Sequence, residues 1–155
     1  MDLSALLDSE RAKIGQTVGI SPWHQIDQAR IDAFADVTGD HQFIHVDAQA
    51  AAAGPFGGTI AHGFLTLSLM ATMAPEALDT LPGQKLFINY GFEKIRFLNP
   101  VPSGARVRAH FKLVDVALRG PGQMLHTFEV TVELEGSDKP ALVATWLSLG
   151  IFGEV

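Results

Sequence analysis

The sequence predicts an α+β fold in which an antiparallel sheet wraps one buried helix. Three observations predict it. Helix signals dominate the chain as far as Ala74. Within that part, every residue from Gly63 to Ala74 is apolar, small or a hydroxyl. From Lys85 onward the hydrophobic period changes to two. A helix that is apolar all round is a buried one, and a run of strands after a run of helices gathers the helices on one side of a sheet.

Each element has a local reason. Residues 2–12 read as a short amphipathic helix with Leu3, Leu6 and Leu7 on one side. Gly15 and Gly19 interrupt it, and residues 20–26 read as a strand with Pro22 near its edge. Asp27 is the N-cap expected for a helix carrying Ile31, Phe34 and Ala35 at helical spacing, and Gly39 suits the position that ends it. Asp47 can cap a second short helix over 48–53, closed by Gly54-Pro55. Thr38 to Asp47 is therefore a short irregular loop pinned between two helices. Phe56-Gly57-Gly58-Thr59 is a turn, 63–74 is the buried helix, and Pro75 and Pro82 frame the next connection.

About four strands follow. Residues 93–97 alternate. Over 105–113, Val107, Ala109, Phe111 and Leu113 face one way and Arg106, Arg108, His110 and Lys112 the other. After the turn Gly120-Pro121-Gly122, the next strand turns Phe128, Val130, Val132 and Leu134 inward and Glu129, Glu133 and Glu135 outward. Antiparallel pairing of these two strands sets a basic row against an acidic one. Residues 141–152 are apolar on both faces and read as a central strand.

Composition narrows the function. The 155 residues fit one domain, 1–155, and a 47% hydrophobic content supplies a sizeable core. The net charge of −6 argues against nucleic acid, which needs a basic footprint. With no cysteine there is no disulfide framework, thiolate nucleophile or cysteine-based zinc site. Met1-Asp2-Leu3-Ser4 does not open a signal peptide. The longest apolar stretch, 64–74, is too short to span a bilayer, so no membrane partner is expected and a cytoplasmic location is.

Chemistry, if present, belongs to the loop Thr38-Gly39-Asp40-His41-Gln42-Phe43-Ile44-His45-Val46-Asp47 and to the pair His62-Gly63. Asp40, His41 and His45 are the acid–base candidates. His41 is expected in solvent, Asp47 is expected to act as a cap, and His62 is expected to shape the loop rather than react. Asp40, His41, His45 and His62 also make a possible ligand set. His41 and His45 suit one metal only if both lie on a helix, and Gly39 argues against that, so no metal is expected.

The same residues carry a resemblance. Phe34-Ala35-x-x-Thr38-Gly39-Asp40-x-x-x-Ile44-His45-x-Asp47, then Phe56-Gly57-x-x-Ile60-x-His62-Gly63-x-Leu65, resembles the hydratase-2 motif of the MaoC-like dehydratases, which include the R-specific enoyl-CoA hydratases. Asn89-Tyr90-Gly91-Phe92-Glu93-Lys94-Ile95-Arg96-Phe97 with Pro100-Val101-Pro102 is similar to the subgroup of nodulation protein N. The resemblance implies a hot-dog fold and a homodimer. It implies (R)-specific addition of water to trans-2-enoyl-CoA, giving (R)-3-hydroxyacyl-CoA, with the CoA thioester as substrate and no cofactor. It carries the catalytic pair onto Asp40 and His45, with Asp40 the expected principal base, and the thioester-oxygen contact onto the N–H of Gly63. Gln42 and His62 join as binding residues. Gln42-Phe43 stands where many members have Asn-Pro, so Gln42 keeps an amide while the loop loses a proline.

Hydration needs a water deprotonated as it attacks Cβ, a proton delivered to Cα, and a stabilised enolate oxygen. Phe43, Ile44 and Phe56 are the expected apolar surround of the base. The basic row, and Lys94 with Arg96, are candidates for the CoA phosphates. The rival readings are a 3-hydroxyacyl-[acyl carrier protein] dehydratase, a hot-dog acyl-CoA thioesterase and a non-catalytic acyl-CoA binding module, since one fold hosts many functions.

Overall fold

A computed structural model describes residues 3–153. Its elements run α1 (Ser4–Arg11), β1 (Thr17–Ile20), β2 (His24–Gln25), α2 (Gln28–Thr38), α3 (Phe43–Val46), α4 (Ala48–Ala52), α5 (Gly63–Ser68), α6 (Met70–Ala77), β3 (Gln84–Phe97), β4 (Arg106–Gly120), β5 (Gln123–Leu134) and β6 (Leu142–Phe152). Residue 2 of the first expected helix lies outside the described residues, as do both ends of the expected domain. The strands form one antiparallel sheet ordered β1-β4-β5-β6-β3, with β2 also paired to β4. This is the expected α+β architecture, with β6 central as its two apolar faces require.

The inner sheet face holds Val107, Phe111, Val130, Val132, Leu142 and Trp146, all buried, against Leu65, Met70 and Met73 of the helical layer and Ile31 of α2. Phe111, Phe128 and Trp146 pack ring to ring, with centroids 5.9–6.2 Å apart. Outside, the basic row meets the acidic one: Arg106 binds Glu135, Arg108 binds Glu133 at 2.6 Å, His110 binds Glu133 at 2.7 Å and Lys112 lies 3.1 Å from Glu129. Donation from Arg108, then from His110, holds the Glu133 carboxyl below the usual carboxylate range. Each member of this row is engaged by a cross-strand partner.

Three local expectations need correction. The strand expected over 20–26 is two short pieces, because Pro22 cannot donate to the ladder. The loop 38–47 is not wholly irregular, since Phe43–Val46 closes one helical turn. The helix expected over 63–74 runs to Ala77 with Pro75 inside it, and it is irregular at Leu69. Helical hydrogen bonds nevertheless pass through that point, from Leu69 N–H to Leu65 O and from Met73 N–H to Leu69 O. This helix buries one face only: Phe64 is 67% exposed, because the sheet covers one side of the helix and the described chain offers nothing for the other.

A smaller cluster of Leu3, Leu7, Val116, Met124 and Phe152 pins α1 to the far ends of the strands. Beside it His126 is buried, 3.7 Å from Glu10, which also binds Lys13 at 2.6 Å. Burial pushes the His126 imidazole below its ordinary 6.5, and nearby Glu10 offsets part of that. As pH falls through about 6.5, the unfolded chain takes up a proton that the folded chain resists, so stability drops there and is unaffected above. Thermal melts followed by circular dichroism should therefore show wild-type Tm falling between about pH 7 and pH 5. His126→Leu should flatten that slope; an equal slope in the variant would contradict the assignment.

Candidate active site

Asp27 starts the site. Its carboxylate accepts the Arg30 N–H at 2.9 Å and so fixes where α2 begins. At the other end Gly39 adopts φ +78°, a left-handed C-cap that non-glycine residues avoid, and the chain turns sharply into Asp40. Asp47 accepts the Ala50 N–H at 2.9 Å and caps α4, as its sequence position implies. Asp40 Oδ1 accepts the Gln42 N–H at 3.3 Å, a local turn that orients the carboxylate.

His45 sits on α3 and is 6% exposed. Its Nδ1 lies 2.7 Å from the carbonyl of Ile60. A carbonyl only accepts, so Nδ1 carries a proton, and Nε2 is left for another partner. His62 is 3% exposed, and its Nε2 donates to the Asp40 carbonyl at 3.0 Å. That bond ties the Asp40 loop to the start of α5, the shaping expected of His62. The two imidazoles stack with centroids 3.8 Å apart and planes 23° apart, and the Phe34 ring packs tilted against His62 with centroids 4.9 Å apart.

A carboxylate oxygen of Asp40 and one ring nitrogen each from His45 and His62 lie within 4.8 Å of one another. The set has the composition of a metal site but not its geometry. Imidazoles bind zinc through in-plane lone pairs at about 2.0–2.1 Å. Two rings stacked nearly parallel set those lone pairs side by side rather than converging, and Nδ1 of His45 and Nε2 of His62 already face carbonyls. The span does suit a water, because two hydrogen bonds of about 2.8 Å bridge such a gap. His41 takes no part: it is exposed and 2.9 Å from Asp36, whose hydrogen bond raises its pKa.

Gly63 opens α5 beside this group, at a helix position whose N–H has no acceptor within the helix. A side chain there would meet Phe97, since a Cβ would fall 2.9 Å from the ring. Beneath Phe97 a cleft of about 250 Å³ is lined by His45, Gly63, Thr66, Phe97 and Val101, among others.

The site differs from the sequence reading in two respects. The expected apolar surround of Asp40 is thin, because Asp40 is exposed and Phe43 and Phe56 are 45% and 47% exposed. Gln42 supplies the N-cap position of α3, but its side chain makes no cap bond. One residue was not anticipated. Gln28 donates to the His45 carbonyl at 2.7 Å and accepts from the Thr59 hydroxyl at 2.7 Å, clamping α3 to the 56–60 turn. Its partners are 17 and 31 residues away, and no local spacing announces them.

Comparison with known proteins gives one consistent answer. A family model described as a MaoC like domain matches residues 9–136. A 3-hydroxyacyl-thioester dehydratase Z from Mycobacterium tuberculosis is 54% identical over 133 residues, covering 86% of this chain and 87% of the relative. A nodulation protein N from Rhizobium leguminosarum bv. viciae is 48% identical over 139 residues, covering 89% and 86%. Among solved structures, an (R)-hydratase from A. caviae involved in PHA biosynthesis aligns with TM-score 0.71 and 25% identity, covering 87% of this chain and 94% of that one.

Proposed function

We propose that this chain, which belongs to the MaoC-like family of hydratases and dehydratases, is an (R)-specific enoyl-CoA hydratase. The observation that carries the reading is the approach of the Asp40 carboxylate to within 4.8 Å of the buried imidazole pair, beside the helix start at Gly63. One water is held between Asp40 and the free Nε2 of His45. Asp40 removes its proton as the oxygen attacks Cβ of trans-2-enoyl-CoA, and the electron pair of the double bond moves through Cα to the thioester oxygen. The Gly63 N–H receives the developing charge. Asp40 then returns the proton to Cα, so the elements of water are added and nothing else is consumed. The step balances without a metal or cofactor. His62 and Gln42 act as positioning residues, His62 through the Asp40 carbonyl and Gln42 through the Asp40 carboxylate.

The thioester dehydratase among the relatives supports the reaction class, since dehydration is the same path reversed. On this reading the enzyme works in the cytoplasm, and no described helix is long and apolar enough to cross a membrane. The test is direct. Purified protein supplied with crotonyl-CoA should bleach the enoyl-thioester absorbance and yield the R-3-hydroxy product on chiral analysis. Free thiol release without hydration, or an exclusive demand for carrier-protein substrates, would defeat this assignment.

A homodimer belongs to the same proposal. β3 is a 14-residue edge strand, and it exposes Leu86, Phe87, Ile88, Tyr90 and Phe92, each 37–45% accessible. A long apolar edge is an association surface unless covered. An isologous pairing of two β3 strands covers it, and β3 ends at Phe97, so the partner would lie close to each cleft. Sedimentation equilibrium should give twice the chain mass for the wild type. Ile88→Lys with Phe92→Glu should give the monomer mass with reduced activity; a monomeric, fully active wild type would contradict it.

A further inference from the structure

We infer that Thr66 is a second donor to the substrate's thioester oxygen, acting beside the Gly63 N–H; this rests on the proposed hydration. The Thr66 side chain is 2% exposed, and its Oγ1 has no hydrogen-bond partner. Hydroxyls inside helices ordinarily return to the carbonyl four residues back. Two others here do so, Thr38 to Phe34 O and Ser68 to Phe64 O, both at 2.7 Å. For Thr66 that acceptor is His62 O, which already receives the N–H of Leu65 at 3.0 Å and of Thr66 itself at 3.2 Å. A buried hydroxyl left over in this way needs an explanation.

Position supplies one. Thr66 lines the cleft together with His45, Gly63 and Phe97. Residues three apart share a helix face, and side chains lean toward the helix start, so Thr66 leans over the turn that Gly63 opens. A helical threonine has two accessible χ1 rotamers, so one rotation turns the hydroxyl toward a ligand. Its helix is the long one that continues from α5 into α6, which is held in place by Met70 and Met73 in the core. The hydroxyl donates a hydrogen bond to the oxygen on which negative charge develops, and no bond is made or broken at Thr66.

Thr66→Val removes the hydroxyl at nearly constant shape, and Thr66→Ser keeps it. With crotonyl-CoA, Thr66→Val should lose roughly 10- to 100-fold in kcat with a smaller change in KM, and Thr66→Ser should recover most of it. Tm of Thr66→Val should hold or rise, because a buried unpaired hydroxyl has been replaced by a methyl group. A 4-(dimethylamino)cinnamoyl-CoA chromophore, whose electron-donating amine disfavours attack at Cβ, adds an independent readout. Its absorbance should shift to the red on binding wild type and Thr66→Ser, and much less on binding Thr66→Val. If the hydroxyl instead serves only His62 Nδ1, one turn earlier, Thr66→Val will lower Tm and leave the shift and kcat as in wild type, which overturns the inference. A wild type that neither hydrates crotonyl-CoA nor shifts the chromophore defeats the proposed function instead, so the two failures are distinguishable.

Discussion

Asp40→Asn should fold like the wild type and lose about 10³-fold in hydration rate, ~4 kcal/mol of barrier. Asparagine keeps the oxygen that accepts the Gln42 N–H, so the turn at 40–42 survives. Asp40 is exposed, so the substitution leaves no cavity. What disappears is the charge that, on the proposed mechanism, takes the proton from water. His45→Ala should be as damaging to rate and worse for stability, because it vacates a buried site stacked on His62 and strips the Ile60 carbonyl of its donor. On the proposed mechanism both residues act on one water, so the double variant should be little worse than either single one. Rates from enoyl absorbance and melts from circular dichroism check these statements together. Near-wild-type turnover in Asp40→Asn would remove the acid–base assignment, whatever His45 does.

Gly63→Ala should reduce kcat/KM by roughly 10- to 100-fold while shifting stability by less than about 1 kcal/mol. The backbone at Gly63 is helical, and alanine is at ease there. The conflict is one of space. The new Cβ falls 2.9 Å from Cδ1 and 3.0 Å from Cε1 of Phe97. Phe97 is 50% exposed and its ring can swing aside, which spares the fold. The swing and the added methyl both occupy the volume in which, on the proposed mechanism, a thioester oxygen approaches the N–H. Steady-state kinetics beside a melting curve separates the two effects. A large fall in Tm with unchanged kcat/KM would mean that Gly63 serves packing alone.

The caps and the sheet were legible because their causes are local. Asp27, Gly39 and Asp47 act on backbone groups within four residues, so the bounds of α2 and the start of α4 could be read directly. The alternation of 105–113 with 128–135 named both the buried face and the ion-pair ladder, because strand geometry alternates strictly and cross-strand partners match in charge. Less was legible where two segments compete for the same groups. The single turn at Phe43–Val46 and the exposure of Phe64 depend on what packs against them, and no periodicity reports that.

Residue type and spacing along the chain were enough for the sheet, the long helix and the family, and they put forward Asp40, His45, Gly63, Gln42 and His62 as site candidates. The tertiary structure alone decided how those residues meet. It stacked His62 on His45 and gave Nδ1 of His45 and Nε2 of His62 a carbonyl each to donate to. It also brought in Gln28 and left the Thr66 hydroxyl without a partner. The physical reason is range: caps and alternation act between near neighbours, whereas lone-pair direction and hydrogen-bond satisfaction are set by groups 15 or more residues apart.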